Sequence, residues 1–181
     1  TLLKEIENES RMATANEKDV LALYVGWGGM PQVFAERSRF WKQEYESLKT
    51  LLSPEEYEQA RASTLNAHYT SPIVIKSMYQ AVEQMGFTGG KVLEPALGTG
   101  HFFGTMPESM ASHCELHGVE LDPLTARMAK QLYPNAHIQN TGFEKTDFQD
   151  NSFDLVIGNV PFGSYAVMDT PSRSLNALNP I

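Results

Sequence analysis

The stretch KVLEPALGTGHFFG, residues 91–104, decides the fold of this 181-residue chain. Its first five residues, KVLEP, read as a short buried strand, and Gly98, Gly100 and Gly104 follow closely. Glycine lets the backbone turn sharply and lets a ligand approach without a Cβ in the way. The stretch therefore predicts a strand that leads through a glycine-rich turn into a helix, the arrangement found at nucleoside sites of doubly wound sheets.

Strand-like and helix-like segments alternate on both sides of this turn. Upstream, Ile75, Met78, Val82 and Met85 recur at helical spacing. Downstream, three more segments read as strands: ELHGVEL (115–121), AHIQN (136–140) and FDLVIG (153–158). The alternation predicts an α/β fold with a parallel sheet. Four strands are fewer than the roughly 5–6 of an average sheet, so we expect a sheet truncated after its fourth strand, with the natural domain continuing past residue 181.

The N-terminal part of the chain is predicted to be helical. The expected helices cover residues 16–25, 31–52 and 53–63. The last of these opens with a capping box in which Ser53 is the N-cap and Glu56 the reciprocal partner. We therefore divide the chain into a helical segment, 1–66, and a partial sheet domain, 67–181.

Composition excludes several classes of protein. Apolar residues make up 41% of the chain, which permits a packed core, and no apolar run is long enough to span a membrane. The net charge of −8 argues against a large surface that coats nucleic acid, but it does not exclude a local groove that binds nucleic acid. Cys114 is the sole cysteine, so no internal disulfide can form, which fits a cytoplasmic protein. His113 and His117 flank it without a second ligand pair, so we expect no metal site.

Two acidic residues indicate which nucleoside the glycine turn would bind. Glu120 ends the second predicted strand 20 residues after Gly100, where an acid can accept hydrogen bonds from ribose hydroxyls. Glu94 precedes the glycines, and its carboxylate would repel a pyrophosphate but attract a cation. S-adenosylmethionine carries an ammonium and a sulfonium and no phosphate. The charge pattern therefore favours S-adenosylmethionine over NAD. The alternative to a nucleoside site is a tight turn beside a surface acid.

The sequence GNVPFG, residues 158–163, follows the fourth predicted strand. The Asn159 side-chain oxygen and the Val160 carbonyl could accept hydrogen bonds from both N–H groups of a poorly nucleophilic amino nitrogen. Pro161 would fix the direction of that carbonyl. Phe162 could stack on a base drawn out of a duplex, since stacking is worth about 1–3 kcal/mol and unstacking costs a few kcal/mol. Singly, each residue has an ordinary structural explanation; together they predict methyl transfer to an amino group.

Together these motifs resemble N6-adenine-specific DNA methyltransferases in which the cofactor motifs precede the target-recognition domain. The resemblance implies a Rossmann-like methyltransferase fold, S-adenosylmethionine as cofactor, and DNA with a flipped adenine as substrate. It assigns catalysis to Asn159, Val160, Pro161 and Phe162. The cofactor-binding residues that it implies are Tyr69, Thr70, Glu94, Pro95, Ala96, Gly98, Gly100, Glu120, Leu121 and Phe143. Among them, Tyr69 and Thr70 would serve the methionine end, and Leu121 would pack on the adenine.

Two positions depart from the pattern of that family. Val160 stands where the family has the first proline of its Asn-Pro-Pro-Tyr/Phe motif, and only the carbonyl is needed there. Gly142 stands where the family usually has an aspartate that accepts the cofactor's adenine amine. Thr141, Glu144 or a backbone carbonyl could take over this function, and the sequence leaves the choice open.

The upstream stretch LYVGWGGMPQVF, residues 23–34, resembles large helicase–methylase fusion proteins of bacterial mobile elements. The resemblance implies that the chain is part of a longer bacterial cytoplasmic polypeptide with helicase and target-recognition parts. The isolated chain would then be weakly active or inactive. Two alternatives stay open: a protein glutamine-N5 methyltransferase, which uses a similar Asn-Pro-Pro-Tyr motif, and a non-catalytic cofactor-binding fragment. The HYTSP motif, residues 68–72, favours DNA as the substrate.

Overall fold

The computed structural model describes residues 2–64 and 69–160, and its centre is a parallel sheet of four strands. The strands are β1 (Gly90–Glu94), β2 (Cys114–Glu120), β3 (His137–Asn140) and β4 (Leu155–Val156). Their order across the sheet is β3-β2-β1-β4, and every pairing is parallel. The predicted α/β parallel sheet is therefore confirmed. Pro161 and Phe162, two of the predicted catalytic residues, lie outside the described residues.

Eight α-helices surround or precede the sheet within the described residues. They are α1 (Leu2–Asn8), α2 (Ala15–Ala22), α3 (Lys42–Leu51), α4 (Pro54–Ser63), α5 (Pro72–Gln84), α6 (His101–Thr105), α7 (Glu108–Ala111) and α8 (Pro123–Leu132). Short 3-10 turns lie at Pro31–Phe34 and Phe143–Lys145. The predicted capping box is present: Glu56 N donates to Ser53 Oγ at 3.2 Å, and Ser53 N donates to Glu56 Oε2 at 2.8 Å. No helix in the described ranges has both the length and the apolar character needed to cross a membrane.

The prediction of one continuous helix over residues 31–52 is wrong. A 3-10 turn ends at Phe34, and α3 begins only at Lys42. Between them, Ser38 Oγ accepts a hydrogen bond from Trp41 N at 3.3 Å, so a serine side chain takes over a donor that a helix would use internally. The predicted helix at 16–25 is also shorter than expected, ending at Ala22, and the short α7 was not predicted.

One face of the sheet is covered by α5 and α6. Ile75, Tyr79 and Val92 are fully buried in this core, and Tyr79 Oη donates to Phe102 O at 3.1 Å. Of the predicted apolar face, Ile75 lies in this core and Met78 and Val82 pack against it, whereas Met85 follows the end of α5 and is exposed. On the β2–β3 side, Ala129 of α8 packs with Leu97 and Phe103 in a second cluster.

The strand order fixes where a ligand can bind. β2 and β3 lie on one side of β1, and β4 lies on its other side, so the order of the strands reverses between β1 and β4. In open α/β sheets, ligands bind outside the carboxyl ends of the strands at such a switch point. Ile157 N donates to Leu93 O at 3.0 Å, which brings the segment after β4 beside the end of β1.

Candidate functional site

The glycine turn after β1 needs glycine for both conformation and space. Gly98 and Gly100 have φ values of +57° and +83°, in the left-handed region that side chains disfavour. A Cβ on Gly100 would collide with the ring of Tyr133, whose hydroxyl donates to Gly100 O at 2.8 Å. A Cβ on Gly98 would lie 3.3 Å from Tyr69 Cε1. Two aromatic rings therefore pack against the turn, and no sequence motif predicts the contact of Tyr133.

Tyr69 lies against this turn. Its ring centroid is 4.7 Å from that of His101, the first residue of α6. Burial, with a smaller contribution from the nearby carboxylates of Glu120 and Asp122, raises the pKa of the Tyr69 hydroxyl to about 12. The hydroxyl is therefore protonated at neutral pH. Next to it, Thr70 has a buried Oγ1 that no residue within the described ranges 2–64 and 69–160 hydrogen-bonds.

Glu120, at the end of β2, ties two loops together. Its Oε2 accepts from Gly98 N at 2.7 Å, and its Oε1 accepts from Asp122 N at 2.7 Å. Burial raises the pKa of this carboxyl, although the two backbone donors oppose the rise. A carboxylate oxygen accepts more than one hydrogen bond. Glu120 can therefore hold the glycine turn and still accept hydrogen bonds from hydroxyl groups of a ligand.

Glu94, the last residue of β1, is a buried acid. Its side chain is 2% exposed, and its Oε2 has no hydrogen-bond partner among the residues that the structure describes. Burial, reinforced by the charge of Glu120, raises its pKa well above the ordinary carboxyl value. The charge argument against a pyrophosphate assumed an ionised Glu94, so it is weaker than the sequence suggests. A ligand cation at Oε2 would favour the ionised form and satisfy the unpartnered oxygen.

Gly142 stands where the resembled family has an aspartate, and the loop after β3 brings the acidic side chain of Glu144 close to it. The Glu144 side chain folds back so that both carboxylate oxygens lie where a Cβ on Gly142 would be. Thr141 N donates to Glu120 O at 3.0 Å, which fixes this loop beside the end of β2. Glu144, one of the three alternatives left open above, thus has its carboxylate beside Gly142.

Apolar side chains of the predicted site are exposed near these strand ends. Leu121 is 71% exposed and Phe143 49% exposed. Large apolar side chains without cover are available to a flat ligand ring. Pro95 and Ala96 are half-buried in the turn after β1.

The segment after β4 passes directly beside Glu94. A Cβ on Gly158 would lie 3.4 Å from both Glu94 Cγ and Pro95 Cδ. Asn159 and Val160 follow and are exposed. The structure therefore brings the Asn159–Val160 dipeptide next to the end of β1, while the contribution of Pro161 and Phe162 remains a prediction.

Parts of the chain are similar to known proteins. Residues 92–176 match the family model described as a methyltransferase domain. The chain is 29% identical over 102 residues to the defense against restriction protein B of Escherichia phage P1; the match covers 55% of this chain and 4% of the relative. The chain thus spans only a small fraction of that relative's length.

Two solved structures are similar to the chain. One is the methyltransferase subunit of a type I restriction-modification system from Streptococcus thermophilus, with 18% identity, 66% of this chain and 31% of that chain covered, and a TM-score of 0.47. The other, from Listeria monocytogenes, is described as a class I S-adenosylmethionine-dependent methyltransferase, with 16% identity, 90% and 51% covered, and a TM-score of 0.49.

Proposed function

We propose that this chain, whose sheet has the Rossmann-like fold of S-adenosylmethionine-dependent methyltransferases, transfers a methyl group to the N6 amine of adenine in DNA. The observation that carries the proposal is the contact of Gly158 with Glu94 and Pro95. It brings an amide side chain, at Asn159, and a backbone carbonyl, at Val160, next to the strand end that leads into the glycine turn. An amino-group acceptor and a cofactor could meet there.

Residues of β1 and β2 fit the charged and polar parts of the cofactor. The unpartnered Glu94 Oε2 suits the ammonium group, and the buried Thr70 Oγ1 offers a second unpartnered polar atom. Glu120 would accept hydrogen bonds from the ribose hydroxyls, and Gly98 leaves room for close approach. The cofactor supplies an activated methyl group on its sulfonium. Tyr69, over the glycine turn, would border the methionine end.

The adenine of the cofactor would lie near the loops after β2 and β3. We propose that the Glu144 carboxylate accepts a hydrogen bond from the adenine amine, in place of an acid at residue 142. The position of its oxygens against Gly142 supports this assignment. Leu121 and Phe143, both exposed, would contact the faces of the ring.

Asn159 and Val160 would act on the amino group of the target base. Its lone pair is delocalised into the ring, so the nitrogen is a poor nucleophile. Hydrogen bonds from its two N–H groups to Asn159 Oδ1 and Val160 O would favour tetrahedral geometry and free the lone pair for the methyl carbon. These bonds strengthen as charge develops on the nitrogen, so they act mainly in the transition state. The nitrogen, cationic once it carries the methyl group, would then lose one proton to water, and the cofactor would leave as its neutral thioether. Phe162 would stack on the extruded base.

DNA as the substrate is supported by the phage relative, which is named for defence against restriction. The net charge of −8 suggests that this chain supplies few of the phosphate contacts. We propose that the remaining contacts come from target-recognition and helicase parts of a longer polypeptide.

Methyl transfer from labelled S-adenosylmethionine tests the proposal. Duplex DNA, DNA without adenine, and a glutamine-containing peptide are compared under single-turnover conditions with excess protein, because we expect slow turnover by this chain alone. Label should enter only adenine-containing DNA. Label in the peptide would favour glutamine methylation, and cofactor binding without transfer to either would favour a non-catalytic fragment.

Asn159→Ala separates catalysis from cofactor binding. We expect transfer to fall at least about 100-fold, as for a lost transition-state donor or acceptor, with cofactor affinity by calorimetry unchanged. Asn135→Ala, at an exposed asparagine before β3, is the matched control and should transfer like the wild type. A loss of cofactor affinity in Asn159→Ala would contradict the assigned role.

A further inference from the structure

Three side chains with metal-binding groups meet on the sheet face opposite α5. Glu115 and His117 are two residues apart on β2, so they point to the same face. The parallel register pairs His117 with His137 on β3. Leu116, between the first two, packs with the core under α5, so the three polar side chains lie on the other side.

The three groups are close enough to share one ion. His117 Nε2 lies 2.7 Å from Glu115 Oε1, and His137 Nε2 lies 3.7 Å from the same oxygen. The two imidazole rings stack with centroids 4.7 Å apart and planes 24° apart. Each residue offers one ligand atom, and these atoms all lie within 4.8 Å of one another. We propose that Glu115, His117 and His137 form a binding site for a divalent transition metal, with Zn²⁺ as the occupant.

The donor set selects the class of metal. Two imidazoles and one carboxylate suit Zn²⁺ and its neighbours Co²⁺ and Ni²⁺, whereas Mg²⁺ and Ca²⁺ prefer all-oxygen sites. Zn–N and Zn–O bonds of about 2.0–2.1 Å put tetrahedral ligand atoms about 3.4 Å apart. The separation of 3.7 Å already fits, and the hydrogen-bonded separation of 2.7 Å must widen by a side-chain rotation. The metal would take the place of the proton shared between Glu115 and His117, leaving a fourth position for water.

Neighbouring side chains hold the ligands in place. Lys91 Nζ lies 3.9 Å from Glu115 Oε2, which leaves Oε1 for the metal. The ring of Phe153 meets that of His117 edge-on at 5.2 Å, and Phe148 packs on Phe153 at 4.9 Å. His117 is 17% exposed while His137 is 64% exposed, so the site has one anchored imidazole and one that is open to solvent. Such outer contacts orient metal ligands and tune their affinity.

The metal site would stabilise the sheet rather than take part in methyl transfer. His117 and Glu115 precede Glu120 by three and five residues along β2, which separates these ligands from the candidate active site by about 10 and about 16 Å. The ion would cross-link β2 and β3, and β3 pairs with only one strand among those described. The sequence predicts no metal site at His113, Cys114 and His117; the proposed site instead combines His117 with Glu115 and His137.

Zn²⁺ titration of the chelator-treated chain tests this site. We expect one Zn²⁺ per chain by calorimetry, a higher melting temperature with Zn²⁺, and no response to Mg²⁺. His137→Ala should weaken Zn²⁺ binding at least tenfold with little effect on folding, because the side chain is largely exposed. His113→Ala, at an exposed histidine outside the site, is the matched control and should bind like the wild type.

Co²⁺ gives a second readout. Visible absorption of Co²⁺ bound through nitrogen and oxygen should appear with the wild-type chain and disappear with His137→Ala or His117→Ala. Glu115→Gln keeps a hydrogen bond to His117 but loses the charge, so it should also weaken Zn²⁺ binding. Absence of Zn²⁺ binding by the wild type, or equal loss with His113→Ala, would overturn the proposal and leave only a hydrogen-bonded surface cluster.

Discussion

Glu94 shows how burial couples stability to ligand binding at a single residue. Its carboxyl is 2% exposed, with one oxygen unpartnered, and burial raises its pKa well above the ordinary value. A carboxyl with a raised pKa binds its proton more tightly in the folded state. Its contribution to the free energy of unfolding is therefore complete below about pH 4.3, the unfolded value, and is lost as pH rises through the folded pKa.

Glu94→Gln should remove this pH dependence. The amide keeps the shape of the side chain but does not titrate, so the melting temperature of the variant should gain on that of the wild type as pH rises from about 4 to about 8. Thermal melts across that range check the difference. Glu108→Gln, at an exposed acid, is the control and should follow the wild-type curve.

The same substitution should weaken cofactor binding while it favours folding. Loss of a charge-assisted hydrogen bond costs about 1.5–3 kcal/mol, so we expect an affinity for S-adenosylmethionine at least tenfold lower. The wild-type affinity should rise with pH, because a ligand ammonium needs the ionised carboxylate, and the affinity of the variant should not. Calorimetric titrations at several pH values distinguish these results, and an unchanged affinity would rule out the ammonium assignment.

Glu144→Ala tests which residue replaces the expected acid at 142. We expect the affinity for S-adenosylmethionine to fall by about 1–2 kcal/mol, the cost of an unpaired donor. A cofactor analogue without the exocyclic amine should bind wild type and variant alike. Lys145→Ala is the neighbouring control. Gly142→Asp combined with Glu144→Ala should recover affinity, since removal of Glu144 frees the space that a residue-142 side chain needs.

At the scale of elements, local sequence signals predicted the strand, turn and cap correctly, but they did not predict where a helix is interrupted. The strand, the glycine turn and the Ser53 capping box follow from residue types within a few positions of each other, and the structure confirms them. The helix predicted over 31–52 is interrupted because Ser38 accepts from Trp41 N, a competition that apolar periodicity does not register. Tyr133, 33 residues from Gly100, carries no spacing signal at all.

Gly100→Ala should destabilise the turn that connects β1 to α6. The left-handed φ of +83° costs about 1–3 kcal/mol for a residue with a Cβ, and the Cβ would also collide with Tyr133. We expect a loss of at least about 2 kcal/mol in the free energy of unfolding by denaturant titration. Gly29→Ala, where a Cβ meets nothing within 4 Å, is the control. In the Tyr133→Ala background the cost should be smaller, since only the backbone strain remains.

At the scale of the whole molecule, long-range ion pairs join the N-terminal helices to the sheet. Arg127 on α8 contacts Glu7 of α1 at 2.7 Å and Glu56 of α4 at 2.6 Å. Ala13 N donates to Gln131 Oε1 at 2.9 Å beside this cluster. The sequence could not predict these contacts, because Arg127 and Glu7 are 120 residues apart and surface charges offer many equivalent partners.

Arg127→Met should weaken the contact of α8 with α1 and α4 without leaving a cavity there. The substitution keeps an apolar side chain of similar length but leaves two carboxylates without their guanidinium. We expect a loss of about 1–3 kcal/mol in the free energy of unfolding at neutral pH, and faster amide exchange in α1 and α4 than in β1. Arg61→Ala removes an exposed pair with Glu58 and should stay within about 0.5 kcal/mol of the wild type.

The pH dependence of the junction separates lost charge pairing from lost packing. Burial alone would raise the pKa of Glu56, but hydrogen bonds from Arg127, the Ser53 backbone and Lys4 outweigh it and hold that pKa at about 2. Because this folded value is lowered, the stabilisation is present above the unfolded pKa of about 4.3 and disappears as pH falls toward 2. The wild type should therefore lose stability between about pH 5 and pH 2 more steeply than Arg127→Met, since the variant lacks the main donor to Glu56. Acid titrations of both proteins, monitored by amide exchange in α4, check this difference. An equal loss of stability in the two proteins would contradict the ion-pair account.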